Sequence, residues 1–223
     1  MDTRSFVTTA DGSKTLYHAA MGEHYHSRHG AVQESRHVFI GMGLIHVLRQ
    51  GFTSISILEV GLGTGLNFLL SADHCGKNGV ALDYTGIEAY PLPPNLVAQT
   101  DYDQYISPTL WASFCDRYAD CWKTSQTIVP GCALTAIQQD IRTFNTKKQF
   151  NLLYFDAFAS SKQPEMWAEA TLRHVSTFLV SGGVFVTYAI TGHLKRTMKK
   201  LGFAVEKVPG APGKREMLRA FKR

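Results

Sequence analysis

Five side chains stand at spacings that suit one ligand chemistry. Glu59-Val-Gly61-Leu-Gly63-Thr-Gly65-Leu-Asn67 sets a carboxylate before three alternating glycines, and Glu88, Asp140 and Asp156 follow at the ends of three further apolar runs. Glycines at such a turn let the backbone approach a ligand closely, while Glu59 places negative charge near a cationic group. A carboxylate at Glu88 is suited to accept both hydroxyls of a ribose. Asp156 follows Leu-Leu-Tyr-Phe and emerges where a reacting group would sit, which makes it the catalytic candidate. Each acid alone could cap a turn. Acids ending successive strands point together to a nucleoside site. The dinucleotide pattern G-x-G-x-x-G would need glycine at position 66, which is Leu66, so the loop departs from a nicotinamide site.

The elements that must carry these groups alternate. Ile55 to Val60 reads as a strand and Leu66 to His74 as a helix; 81–88, 133–139, 150–155 and 183–189 read as strands. An amphipathic helix is expected over 165–179 and another over 193–200. Strands alternating with helices imply a doubly wound, mostly parallel α/β sheet with right-handed crossovers, whose ligands gather at the carboxyl ends of the strands. Phe203 to Pro209 and Glu216 to Phe221, joined by Gly210-Ala-Pro-Gly213, read as an antiparallel hairpin at the sheet edge. Residues 1–50 are expected to form an N-terminal extension packed on a core of 51–223. Within that core, about 95–129 reads as a helical insertion whose aromatics, Tyr102 to Trp122, serve packing.

Composition agrees with a packed α/β protein. Of 223 residues 44% are hydrophobic and 18% charged, which excludes a disordered chain. No run approaches the ~20 apolar residues of a membrane span, and no secretory or transit segment is legible, so the expectation is a soluble, cytoplasmic protein. Four cysteines lack a zinc or disulfide rhythm and read as ordinary thiols. Glu23-His-Tyr25-His26-Ser27 lacks the H-E-x-x-H pattern of a zinc site, and no metal is expected. Charge is uneven: from Ile190 to Arg223 ten bases face Glu206 and Glu216, a basic block that suits phosphate contacts or simply a solvated surface.

The acid followed by G-x-G-x-G resembles the first motif of class I methyltransferases. More specifically, 22–27, 30–39, Glu59 to Asn67, Tyr154 to Phe158, Gln163-Pro-Glu-Met-Trp167 and Pro209-Gly-Ala-Pro-Gly-Lys-Arg-Glu-Met-Leu218 together resemble the methyltransferase half of the bifunctional MnmC tRNA-modification proteins, in that family's order. The resemblance implies S-adenosylmethionine as cofactor, bound by Glu59, Gly61, Gly63, Gly65, Asn67, Glu88 and, at adenine, Asp140. It implies tRNA as partner, with methyl transfer to the amine of 5-aminomethyl-(2-thio)uridine at the wobble position to give 5-methylaminomethyl-(2-thio)uridine. Tyr25, His26 and Ser27 are expected on the substrate side, with Lys214 and Arg215 as phosphate or base contacts. A stand-alone methyltransferase is expected, fed by a separate enzyme that makes the aminomethyl group. Two departures touch local loops: Ala159-Ser160 replaces a proline common after the Asp-x-Phe turn, and Ala189-Ile190-Thr191 is looser than the usual small-residue run.

Asp156 is expected to orient the amine and stabilise its developing charge before acting as an outright base. Two other readings stay open at this point. One is a small-molecule amine N-methyltransferase or aminopropyltransferase-like enzyme, indifferent to tRNA. The other is a tRNA-binding module without turnover, against which the acids Glu59, Glu88, Asp140 and Asp156 argue.

Overall fold

The computed structural model describes residues 4–223. It opens with a small antiparallel sheet of β1 (Arg4–Thr8), β2 (Lys14–His18) and β3 (Glu23–His24). A continuous helical run follows, made of α1 (Ala31–Ser35), a π-helical stretch Arg36–Ile45 and α2 (His46–Leu48). The rest is β4 (Ser54–Val60), α3 (Leu66–Lys77), β5 (Ala81–Glu88), α4 (Pro94–Ala98), α5 (Pro108–Cys121), β6 (Gln126–Val129), β7 (Cys132–Gln138), β8 (Phe150–Phe155), α6 (Glu169–Ser176), β9 (Leu179–Thr187), α7 (Gly192–Lys200), β10 (Phe203–Pro209) and β11 (Glu216–Lys222).

Eight strands form one sheet in the order β10-β11-β9-β8-β4-β5-β7-β6. The central pairs β9-β8, β8-β4, β4-β5 and β5-β7 are parallel, and the β10-β11 hairpin joins β9 antiparallel at one edge. This is the doubly wound sheet with a C-terminal hairpin expected from the alternation. Burial follows the two-residue period of a strand covered on both faces. Ile55, Ile57, Tyr84, Leu134, Leu152 and Tyr154 belong to one apolar cluster, while Leu58, Val60, Ile87, Leu153 and Phe155 belong to the other.

The π-helical stretch comes very close to the sheet. A Cβ at Gly43 would stand 3.1 Å from Val186 and 3.2 Å from Tyr154, so glycine there sets the interlayer spacing. Two expected boundaries shift. The 165–179 helix is a short 3-10 turn, Pro164–Trp167, followed by α6, because Ala168 is extended; β9 already starts at Leu179. The 95–129 segment is not wholly helical, since Gln126–Val129 pairs antiparallel with β7 as the edge strand. Its aromatics pack as expected: Tyr102, Phe114 and Tyr118 are buried. Residues 1–3 of the expected N-terminal segment lie outside the described residues. No described helix is long and apolar enough to cross a membrane.

Candidate active site

β4 lies between β5, which follows it in the chain, and β8, which comes later, so the chain leaves β4 in opposite directions and opens a crevice at the carboxyl ends. A cavity of about 760 Å³ occupies that position, within the roughly 300–1,000 Å³ usual for small-molecule sites. Its floor is the turn after β4. Gly61 has φ +89, and a Cβ there would overlap the carbonyl oxygen of Asp156, so the glycine loop and the β8 tip can approach only without a side chain. The amides of Gly61 and Leu62 both donate to the Ile87 carbonyl, at 2.9 and 3.2 Å, tying the loop to β5.

At the carboxyl tips of β5 and β7 the cavity is lined by Glu88 and Asp140. Glu88 accepts from the Gly63 amide at 3.2 Å and the Tyr90 amide at 2.9 Å, which fixes the carboxylate and leaves lone pairs for hydroxyl donors. Asp140 is gripped by the Arg142 guanidinium at 2.9 Å, and that bond holds its carboxyl below the usual range.

At the carboxyl tip of β8 the cavity is lined by Asp156. Its Oδ2 accepts from Asn67 Nδ2 at 2.8 Å, and the same nitrogen donates to Glu59 Oε1 at 2.8 Å. Glu59 also accepts from the Tyr84 hydroxyl at 2.8 Å. Glu59 is fully buried and reaches the cavity through Asn67 rather than lining it. Burial, reinforced by the charge of Asp156, pushes its carboxyl well above the usual carboxylate range. Asp156 is itself pushed up to about 7, first by loss of solvent and then by the nearby Glu34 carboxylate, with Asn67 and Lys214 pulling the other way.

The N-terminal segment forms the opposite wall. The Tyr25 ring meets Phe158 edge-on at 5.3 Å and lies 3.2 Å from where a Cβ on Gly63 would stand. His26 is held against Thr15 Oγ1 at 3.1 Å, and burial lowers its pKa to about 4, so the ring is neutral at pH 7. The Ser27 amide donates to Glu34 at 2.8 Å. Lys214 lines the same cavity with its Nζ 2.7 Å from Glu34 Oε1 and 3.8 Å from the Tyr188 ring centroid.

Among the residues singled out from sequence, Tyr25, His26, Ser27, Gly61, Gly63, Asn67, Glu88, Asp140, Asp156 and Lys214 thus converge on one cavity. Three do not line it. Glu59 sits behind Asn67, Gly65 is buried with φ +78 against Phe114, and Arg215 borders a smaller hollow that shares Tyr188 and Lys214 with the main one.

A sequence model described as S-adenosyl-L-methionine-dependent methyltransferase matches residues 106–223, more than half the chain. The chain belongs to this methyltransferase family. The bifunctional tRNA 5-methylaminomethyl-2-thiouridine biosynthesis protein MnmC of Aromatoleum aromaticum is 30% identical over 237 residues, which cover 98% of this chain and 35% of that protein. The protein of the same name from Methylobacillus flagellatus is 30% identical over 219 residues, covering 91% and 33% respectively. This methyltransferase therefore spans about a third of the length of the curated relatives it matches. Its fold superimposes on the crystal structure of MNMC2 from Aquifex aeolicus with a TM-score of 0.79 at 23% identity, over 99% of this chain and 70% of that one.

The methyltransferase's cofactor is S-adenosylmethionine, and the donor set fits it. Carboxylates from three strand tips line one cavity and suit a cationic nucleoside, and the Gly61 turn bears no side chain where it meets the Asp156 carbonyl. Sequence reasoning left Glu34 and Tyr188 without roles. Glu34 falls inside the 30–39 segment quoted for its resemblance, but a glutamate in a helix has no local signature of a ligand wall. Only the fold brings it to Lys214.

Proposed function

We propose that this methyltransferase methylates the amine of 5-aminomethyl-(2-thio)uridine at the wobble position of tRNA, forming 5-methylaminomethyl-(2-thio)uridine. The observation that carries the reading is Asp156, a carboxylate whose carboxyl is raised to about 7 and which lines the same cavity as Glu88. Matches over 91–98% of the chain to proteins named for this modification support the substrate.

When bound, S-adenosylmethionine supplies an electrophilic methyl on a positively charged sulfur. Glu88 is placed to hold ribose hydroxyls, and Asp140 with Arg142 bounds the base end. Asn67 aims Asp156 by bonding one of its oxygens, and Glu59 holds Asn67 from behind. The acceptor nitrogen must be uncharged to react. An alkylamine with a pKa of about 10.4 would cost roughly 4–5 kcal/mol to deprotonate at pH 7, and an amine on an electron-poor pyrimidine less. The Asp156 carboxylate orients the uncharged amine through an N–H···O bond and, after transfer, accepts the proton that the methylated ammonium gives up; a carboxyl near 7 is a better match for that task than one near 4. As the new N–C bond forms and the S–C bond breaks, the carboxylate stabilises the positive charge arriving on nitrogen. The aminomethyl group of the acceptor comes from a separate reaction.

The test is incubation with methyl-labelled cofactor and tRNA from cells lacking this modification, followed by nucleoside mass analysis. Label is expected in one nucleoside, heavier than its aminomethyl precursor by one methylene. Label only on free small amines, or tRNA binding without label, would reject the reading.

A further inference from the structure

The cavity wall beside Asp156 holds an ion pair that amine methylation does not require. Glu34 on α1 and Lys214 between β10 and β11 are distant in sequence and meet at 2.7 Å, with the Glu34 side chain only 10% exposed. Taking two charges out of water costs several kcal/mol per ion, and an apolar pair often does as well for stability. Placing such a pair on a ligand wall therefore calls for a reason in recognition.

Hydrogen-bond accounting supplies one. An ammonium has three N–H donors. Glu34 takes one of those on Lys214, the Tyr188 ring faces Nζ at 3.8 Å, and no other acceptor is recorded for it among the described residues. A carboxylate has about four acceptor sites. The Ser27 amide and Lys214 each fill one on Glu34. The wall therefore presents an unused acceptor beside an unused donor. A free anion would be repelled by Glu34 and a free cation by Lys214. What complements both is a neutral planar edge carrying a donor next to an acceptor. Uracil has that edge, N3–H flanked by carbonyl oxygens; cytosine carries it in the reverse order, an amino donor beside a bare N3, so at the same ring position it would set N3 against the Glu34 carboxylate and the amino group against the Lys214 ammonium.

Tyr188 ties the pair to the Asp156 side of the wall. Its hydroxyl donates to the Ala157 carbonyl at 2.9 Å, next to Asp156, and its ring carries Lys214. A pyrimidine whose 5-substituent reaches Asp156 is then directed toward the pair. We propose that Glu34 and Lys214 read the Watson–Crick edge of a uracil-type base, Glu34 accepting from N3–H and Lys214 donating to the adjacent carbonyl oxygen. This rests on the proposed acceptor being an amine on a pyrimidine.

The test compares two anticodon stem-loop RNAs, identical except for 5-aminomethyluridine or 5-aminomethylcytidine at the wobble position. Wild type and Glu34→Gln are assayed for kcat/KM on each, with adenosylhomocysteine affinity by calorimetry as the measure of an intact pocket. Wild type is expected to favour the uridine RNA roughly ten- to hundredfold, the discrimination of one good paired contact. Glu34→Gln, whose amide can donate to a bare N3, is expected to narrow that ratio at least several-fold with cofactor affinity retained. Equal wild-type rates on both RNAs, or an unchanged ratio in a variant that still binds adenosylhomocysteine, would overturn edge reading and leave the proposed function standing. The wild-type ratio decides alone if the variant loses that binding. Methylation of neither RNA by a cofactor-binding protein would overturn the proposed function itself, and edge reading with it.

Discussion

At the scale of single residues the proposed chemistry rests on one acid whose surroundings make its charge costly. Asp156 is pushed to about 7 in the folded chain, against an ordinary value of 3.8. Folding thus binds the proton more tightly than the unfolded chain does, and the associated stability is full below the unfolded value and fades as pH rises toward 7. Asp156→Asn should therefore raise the melting temperature by several degrees at pH 8 and hardly at all near pH 4, while abolishing methylation; scanning calorimetry at the two pH values checks this. An equal gain at both would mean that the carboxyl carries no such burden. Asp156→Ala should likewise stop turnover with adenosylhomocysteine binding preserved, and lost binding would assign Asp156 to the cofactor instead. For activity the sign reverses, because the carboxylate is the working form: single-turnover rates should climb through pH 7. Since Glu34 pushes the Asp156 carboxyl up, Glu34→Gln should move that limb to lower pH.

At the scale of elements, the turn after β4 brings the site together. Gly61 and Gly79 both have positive φ, +89 and +67, but a Cβ on Gly61 would overlap the Asp156 carbonyl while one on Gly79 meets nothing within 4 Å. Gly79→Ala should cost about 1 kcal/mol from the backbone alone. Gly61→Ala should cost roughly 2–4 kcal/mol and also eliminate adenosylhomocysteine binding. Urea unfolding and calorimetry separate the two, and similar losses in both variants would remove the close approach from the account. This turn was legible in sequence because its glycines follow a β-branched run and precede an apolar helix. Glu88 and Asp156 were legible for the same reason, each closing a strand-forming run, and Asp140 as the acid just past a strand. Glu59 was legible as an acid before the turn but not as a buried support of Asn67, because its bond to Asn67 Nδ2 runs through the interior from strand to helix. The Glu34–Lys214 pair was illegible altogether, since neither its helix nor its loop carries a periodic signal naming a partner 180 residues away. The strand β6 was missed because a four-residue edge run inside an aromatic helical stretch is too short to show alternation.

At the scale of the whole molecule, four of the ten bases in the C-terminal block are ion-paired within the fold. Lys200 pairs with Glu169 at 2.8 Å, Lys207 with Glu216 at 3.7 Å, Lys214 with Glu34 at 2.7 Å and Arg219 with Glu206 at 2.8 Å. Lys222 donates instead to the carbonyls of Ser176 and Leu179. A sum over sequence therefore overstates the charge available to an RNA. Arg215 differs in being exposed at a small hollow that adjoins the cavity through Tyr188 and Lys214. If tRNA enters over that rim, Arg215 meets a phosphate while Arg219, its side chain only 13% exposed and bonded to Glu206 and the Met42 carbonyl, meets none. Arg215→Ala should then reduce the slope of log binding constant against log salt by about 0.7–0.9, the contribution of one phosphate contact. Arg219→Ala should leave that slope unchanged while lowering the melting temperature, because it strips a bond from the edge hairpin. Binding titrations across a salt series distinguish the two. Equal slopes for wild type and Arg215→Ala would make this rim a solvated surface and move the RNA path to another part of the cavity lining, where Arg28, Arg142 and Lys162 are exposed cations.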